Sequence, residues 1–303
     1  MRKLKMTSAI KTLDLNQWNG PVDSSISNQA IEALELGRVI ELPRLAFTLL
    51  SEEQRFLSTD WSDKKSKNIV LRANGELKGA AGSEADMVAL KGMIQRYNKQ
   101  SHELIAMLFP SYLPNLTMAN TSFRPFEVET RSTSYRKDDT RLHADAFPSN
   151  PTQGTRLLRV FNNINPYGKP RVWRVGEPFE KMAEAFLPKT KSLLPMQAWL
   201  MKQLRITKTI RTEYDHRMLQ LHDLVKADMH YQRHSPQQSV DFMPDTTWIV
   251  YSDQVLHAAM AGQFMMEQTF SLPVSALKCP ETAPLKVLER ILNRPLSNYP
   301  LIV

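Results

Sequence analysis

The tripeptide His143-Ala144-Asp145 sets an imidazole and a carboxylate two positions apart. Residues i and i+2 of a strand, or of its exit, project to the same side. Both groups can therefore meet one metal ion from one direction. A later histidine would complete two imidazoles and one carboxylate, a facial set that leaves open positions on a non-haem iron for a cosubstrate and oxygen. His257 is the best placed candidate. It follows the strand-like run Trp248-Ile249-Val250-Tyr251 and the turn Ser252-Asp253-Gln254, and it precedes a second strand-like run over 263–272. The tripeptide alone is weak, because seven histidines and many aspartates make chance matches common. His102 lies on a long helical stretch, and His216, His222, His230 and His234 lie in or just after a second one. All five read as packing or surface residues. His230 and His234 are four apart and could pair on a helix, but Ser235-Pro236-Gln237-Gln238 behind them reads as a loop.

An oxygenase built on such a set takes 2-oxoglutarate and needs a cation for its far carboxylate. Arginine suits this, because its planar fork meets a carboxylate through two hydrogen bonds. In many enzymes of this chemistry the arginine follows the distal histidine on the next strand. Here residues 264 to 272 contain neither Arg nor Lys. If Phe264, Met266, Phe270 and Leu272 face inward, Gln268 does too, and it either touches the cosubstrate or bonds to neighbouring backbone. The cation must then come from another strand. Arg124 alternates with Phe126 and Val128, away from Glu127 and Glu129, and Arg159 alternates with Leu157 and Phe161. A charge on an apolar strand face is costly unless paired. Each arginine therefore binds an anionic ligand or makes a buried pair with Glu or Asp.

The elements that must hold these residues are legible in outline. Residues 1–24 read as an irregular basic N-terminus. Residues 25–118 read as mainly helical. Ser24, Ser25, Ser27 and Asn28 are candidate caps of a short helix stopped at Gly37, and Val39 to Leu42 form a strand. Met87, Leu90, Ile94, Tyr97, Leu104, Ile105 and Leu108 mark a long helix from Ser83 to Pro110. A β-rich core spans 119–275, with strands over 124–129, 155–164, 246–251 and 263–272 and a helical insertion over 179–228. A C-terminal helix and tail fill 276–303, with Pro284 near the helix start and Leu285, Leu288, Ile291 and Leu292 on its apolar side. The order of helices, strands, helical insertion, strands and helix suits a mixed α and β chain. Its core would be a double-stranded β-helix, or jelly-roll, with flanking helices in a single domain of 1–303.

Bulk properties narrow the classes. The 303 residues are 42% hydrophobic and 23% charged, which fits one packed core. The single cysteine, Cys279, excludes an intramolecular disulfide and a Cys-rich zinc site, and it points to a reducing, cytoplasmic setting. No apolar run is long enough for a transmembrane helix, and the start MRKLKMTSAIK lacks the apolar stretch of an export signal. The net charge of +8 implies an anionic partner of some kind. Arg2, Lys3, Lys5 and Lys11 are candidates for peripheral contact with an anionic membrane surface on the cytoplasmic face, although a solvated terminus explains them as well. No interleaving of aromatic and basic residues supports nucleic-acid binding.

The block over residues 140 to 166, Thr-Arg-Leu-His-Ala-Asp-Ala-Phe-Pro-Ser-Asn-Pro-Thr-Gln-Gly-Thr-Arg-Leu-Leu-Arg-Val-Phe-Asn-Asn-Ile-Asn-Pro, resembles the Kdo hydroxylase family. So do Arg171-Val172-Trp173-Arg174-Val175-Gly176-Glu177 and Tyr251-Ser252-Asp253-Gln254-Val255-Leu256-His257-Ala258. The likeness runs over nearly the whole chain. It implies an Fe(II)-, 2-oxoglutarate- and oxygen-dependent hydroxylase. The enzyme would act at carbon 3 of Kdo, the acidic eight-carbon sugar of the lipopolysaccharide inner core, and produce Ko. It also implies that His143, Asp145 and His257 hold the iron, and that Arg124 and Arg159 contact 2-oxoglutarate. A Kdo-bearing lipid A precursor is anionic, so Arg136, Lys137, Arg141, Lys169, Arg171 and Arg174, close in sequence to the metal tripeptide, are candidates for steering it. Two other readings remain open at this stage. One is an oxygenase of the same chemistry with another anionic or lipid substrate, and the other is a non-enzymatic jelly-roll that binds anionic sugar or lipid.

Overall fold

The computed structural model describes residues 8–128 and 134–296. Arg2, Lys3, Lys5 and Glu129 lie outside them. The elements run in the order β1 (Ile10–Thr12), α1 (Ser24–Glu35), β2 (Val39–Leu42), β3 (Ile69–Leu71), β4 (Leu77–Lys78), α2 (Glu84–Leu108), β5 (Thr117–Arg124), β6 (Arg156–Asn163) and β7 (Arg171–Gly176). Then come α3 (Phe179–Phe186), α4 (Pro195–Gln203), α5 (Glu213–Ala227), α6 (Met229–His234), β8 (Gln237–Phe242), β9 (Thr247–Tyr251), β10 (His257–Ala261), β11 (Met265–Leu272) and α7 (Pro284–Leu292).

Local chemistry explains the helix boundaries. Asp23, one residue ahead of the candidates read from the sequence, caps α1 by accepting from Ser25 N, and Gly37 turns the chain at φ +75°. Ser83 and Asp86 form a reciprocal capping box at the start of α2. The helix then buries Leu90, Ile94, Tyr97, Leu104, Ile105 and Leu108 at three- and four-residue spacing.

The strands make two sheets. The larger has the order β1-β2-β9-β6-β11-β5-β3-β4 and the smaller β10-β7-β8. Only the β1–β2 pair is parallel among the described pairings. One face of the large sheet carries Leu158, Val160, Ile249, Tyr251, Met266 and Phe270 into a core shared with α1 and α2. The other face carries Phe161, Trp248, Val250 and Met265 against Trp173, Val175, Val240 and Phe242 of the small sheet. The space between the sheets is therefore the packed interior of a jelly-roll. The central strands β6, β9 and β11 are covered on both sides. The helices α3 to α6 leave the sheet between β7 and β8, and α3 and α5 pack with α7 through Phe179, Met182, Tyr214, Leu221 and Leu288.

Three local expectations need correction. The strand read over 124–129 instead ends at Arg124, because Pro125 has no N–H to continue the ladder. Of the loop read at 235–238, Ser235 and Pro236 do lie outside regular structure, but Gln237 and Gln238 begin β8, which pairs with β7 along its whole length. The strand read from Gln263 begins at Met265, since Phe264 adopts φ +58°.

Candidate metal centre

Two antiparallel segments meet at the tripeptide. His143 N donates to His257 O at 3.1 Å and His257 N donates to His143 O at 2.9 Å, so the main chains of the two histidines hold each other. Asp145 N donates to Ser252 O at 2.8 Å, which anchors the third residue to the turn after β9. His143 Nδ1 lies 2.7 Å from Arg141 O and His257 Nδ1 lies 2.8 Å from Val255 O. With Nδ1 as the donor, each ring keeps the Nε2 lone pair for a metal. One ligand atom from each of His143, Asp145 and His257 lies within 4.8 Å of the others, and His143 Nε2 is 3.6 Å from Asp145 Oδ1.

The electrostatics suit cation binding. Burial, reinforced by His143, pushes the His257 imidazole down to about 4, so it is neutral near pH 7. Burial opposes the charge on Asp145, but Arg159 and the two histidines outweigh it and hold the carboxyl well below its ordinary range.

Behind this set lies a buried ionic cluster. Arg159 Nη2 is 3.1 Å from Asp145 Oδ2, and Arg159 Nη1 is 2.9 Å from Glu267 Oε1. Arg124 Nη2 binds the other oxygen of Glu267. Both arginines thus make buried acidic pairs, and Glu267 is the shared partner. Arg124 Nε, Arg159 Nε and Trp173 Nε1 are nevertheless buried with no hydrogen bond. A buried donor left unmet costs about 1–3 kcal/mol. Several together in one place fit a metal on the carboxylate and an anionic oxygen ligand on the donors.

Of the two readings of Gln268, contact with the cosubstrate needs correction and bonding to neighbouring backbone holds, since its amide donates to Thr269 O at 2.6 Å. Gln268 alternates with Glu267 and points to the helical side of β11. There its Oε1 accepts from Asn98 Nδ2 of α2, at 2.8 Å, and from Thr121 Oγ1. The steering candidates also separate. Arg136 is exposed and binds Asp223 at 2.8 Å. Arg141 binds Asp138 at 3.1 Å and Lys226 O at 2.8 Å. Arg171 is buried on the inner face of β7, where it donates to Gly262 O at 2.8 Å. Arg174 projects outward and donates to Thr140 O at 2.8 Å, Gln237 Oε1 at 3.1 Å and Gln232 O at 3.3 Å. These bonds give Arg171 and Arg174 structural work that the outer-surface reading did not foresee.

Three neighbours of the centre escaped the sequence reading. Glu267 sits beside Gln268 on a strand buried on both faces, so alternation does not say which residue faces the metal. Trp173 stacks on His257, with ring centroids 5.0 Å apart and planes at 22°. Its signal was the alternation Arg171-Val172-Trp173-Arg174-Val175. His222 of α5 stands edge-on to His143, with centroids 5.3 Å apart, and its Nδ1 is 2.9 Å from Asp223 Oδ1. It shares a helix face with Met218, Leu221 and Val225, which made it look like a packing residue. His230 and His234 do pair on α6, with centroids 4.4 Å apart, but no third ligand joins them among the described residues.

Comparison with known proteins agrees with this geometry. The family model for 3-deoxy-D-manno-oct-2-ulosonic acid (Kdo) hydroxylase matches residues 17–295. The crystal structure of the Kdo hydroxylase KdoO is described as a non-haem Fe(II) α-ketoglutarate-dependent dioxygenase. In its complex with α-ketoglutarate and Fe(III) it is 48% identical, with a TM-score of 0.91 over 95% of this chain and 97% of that one. The cobalt(II) complex of KdoO gives a TM-score of 0.93 over 96% and 98%, again at 48% identity. The complex with succinate and Fe(III) gives 0.92 over the same shares. No curated protein sequence matches. With 279 consecutive positions of the chain covered by the family model, and a jelly-roll that superposes on KdoO throughout, the chain belongs to the Kdo hydroxylase family.

Proposed function

We propose that this protein is an Fe(II)- and 2-oxoglutarate-dependent oxygenase that hydroxylates Kdo at carbon 3, yielding Ko, on a Kdo-bearing lipid A precursor. The observation that carries the reading is the buried set His143, Asp145 and His257 beside two arginines that keep unused donors. The chain works as one oxygenase domain, with α3 to α6 as an insertion.

His143 and His257 would hold iron through Nε2 and Asp145 through its carboxylate. The iron, when bound, couples oxidative decarboxylation of 2-oxoglutarate by O2 to insertion of one oxygen atom into a C–H bond of the sugar, with succinate and carbon dioxide as the other products. The protein's own residues prepare that event. Arg159 keeps Asp145 ionised and orients it. Arg124 and Arg159 present Nε donors to the far carboxylate of the cosubstrate, and Glu267 fixes the two guanidinium planes. Trp173 covers His257 and keeps water from that side. The charges of Arg124 and Arg159 balance those of Asp145 and Glu267, so adding a divalent cation and a doubly charged cosubstrate leaves the site neutral. Arg136 and Arg141, at the outer end, would meet the anionic groups of the substrate, Arg136 through the chain Arg136–Asp223–His222 that leads to His143.

The substrate sugar is carried on lipid, so peripheral contact with an anionic membrane surface belongs to the same reading. Among the described residues no helix is long and apolar enough to cross a membrane.

The test is to incubate iron-loaded protein with 2-oxoglutarate, oxygen and Kdo-linked lipid A, and to look for a one-oxygen gain on Kdo by mass spectrometry. A gain that requires 2-oxoglutarate and disappears in His143→Ala is the expected result. Succinate without that gain would keep the oxygenase and reject the substrate. Neither product, with iron bound, would reject the enzyme.

A further inference from the structure

The insertion contains a helix with its apolar side outward. On α4 and the turn after it, Leu194, Met196, Trp199, Leu200, Leu204 and Ile206 are between 43% and 77% exposed. Met196, Trp199, Leu200 and Leu204 recur at the spacing of one helix face, whereas Ala198 on the opposite side is buried. An amphipathic helix at a protein surface normally does the reverse. By contrast, α7 turns Leu285 and Leu288 inward. A contiguous apolar patch of this kind marks a surface that meets something.

Charge says what. From residue 185 to residue 212 the chain contains Lys189, Lys191, Lys202, Arg205, Lys208 and Arg211 and no Asp or Glu. Lys191, Lys202, Arg205 and Lys208 are exposed on α4 and the segments beside it, and none forms an ion pair among the described residues. Exposed apolar side chains, a tryptophan among them, in a segment whose only charges are cations match the acyl boundary and headgroups of an anionic bilayer.

The patch is also tied to the metal centre. Lys208 N donates to Ser149 O at 3.0 Å, and Arg211 binds Pro148 O. Asp215 accepts from Thr152 N at 2.8 Å and from Gln153 N at 2.9 Å. The loop that leaves Asp145 is therefore laced to the segment that leaves α4.

We propose that α4 and the turn to Ile206 form a docking surface that inserts into an anionic lipid bilayer and sets the mouth of the metal centre against it. The inference rests on the lipid-linked substrate for its purpose, but its test does not need that substrate. Purified full-length protein is floated with phosphatidylglycerol-containing vesicles free of Kdo, alongside the triple variant Met196→Gln, Leu200→Gln and Leu204→Gln. The wild type should partition onto anionic vesicles, with the fluorescence of Trp199 shifting to the blue, a shift absent in Trp199→Phe. The triple variant should keep its thermal midpoint and bind at least about tenfold more weakly. Equal binding by variant and wild type would overturn the proposal, as would no binding by the wild type. A wild type that is dimeric in sedimentation and becomes monomeric in the triple variant would overturn it too, because a second copy would then cover the face. Failure of Kdo hydroxylation with vesicle binding intact would reject the substrate and leave the docking surface standing.

Discussion

The two faces of β11 carry neighbouring polar residues of nearly equal size, and the protein treats them in opposite ways. Gln268, on the helical side, is closed off: Asn98 and Thr121 meet its oxygen and Thr269 O its amide. Glu267, on the inner side, holds two arginines whose Nε atoms remain unmet, next to the carboxylate of Asp145. Both residues are buried. The difference is that one network is complete and the other stops short. A complete buried network is structural, whereas an incomplete one beside metal-type ligands is a receptor for something charged.

Removing the centre itself is the strongest way to press that comparison. Asp145→Ala should lower hydroxylation below about one-thousandth of the unmodified rate and abolish stoichiometric iron binding, while leaving the fold intact by circular dichroism. Retained iron with full activity would show that the inner face is merely structural. Glu267→Gln comes next. Losing the shared anion leaves Arg124 and Arg159 facing each other, so stability should fall by about 3–5 kcal/mol and the KM for 2-oxoglutarate should rise. Denaturant unfolding and cosubstrate titration measure the two effects.

Acid sharpens the same contrast in the metal-free protein. The folded-state value of His257, about 4, lies below the ordinary 6.5 of an unfolded histidine. Between those values the unfolded chain binds the extra proton, so stability should rise with pH from about 4 to 6.5 and level off above. His257→Gln should flatten that part of the melting curve. The carboxyl of Glu267 is opposed by burial yet held low by Arg124 and Arg159. Its contribution is therefore present above the unfolded carboxylate range and is lost only in stronger acid. The smallest effect belongs to the closed network: Gln268→Met should cost about 1–3 kcal/mol and leave the KM for 2-oxoglutarate unchanged. A raised KM would mean that the two faces communicate.

What could be read from the sequence follows from the same geometry. The metal set was legible because an i, i+2 pair and a histidine between two strands need only local patterning. Arg159 was legible as a charge on the apolar face of β6, whereas Arg124 was singled out by an alternation with Phe126 and Val128 that does not continue as strand, and their common partner was not legible. Alternation tells which residues share a face and not which face looks at the site, and β11 is covered on both. Hence Gln268 is correctly grouped with Met266 and Phe270, but their face looks at α2 and not at the metal set, and Glu267 on the other face is missed. β8 was hidden because Gln237, Gln238 and Ser239 look like loop, and only its pairing with β7 makes it a strand. His222 was hidden because α5 is wrapped on more than one side, burying Glu213, Asp215, Arg217 and Lys226 as well as Tyr214, Met218, Leu221 and Val225.

The reciprocal main-chain bonds between His143 and His257 have a consequence for the life history of the protein. The two histidines are held together by main-chain hydrogen bonds that do not involve an ion, which would let folding precede metal capture. A newly made chain could wait in its finished shape until iron arrives, give the ion up to a chelator and take it back without passing through a denatured state. Iron supply would then set the fraction of molecules that work and not the number that survive.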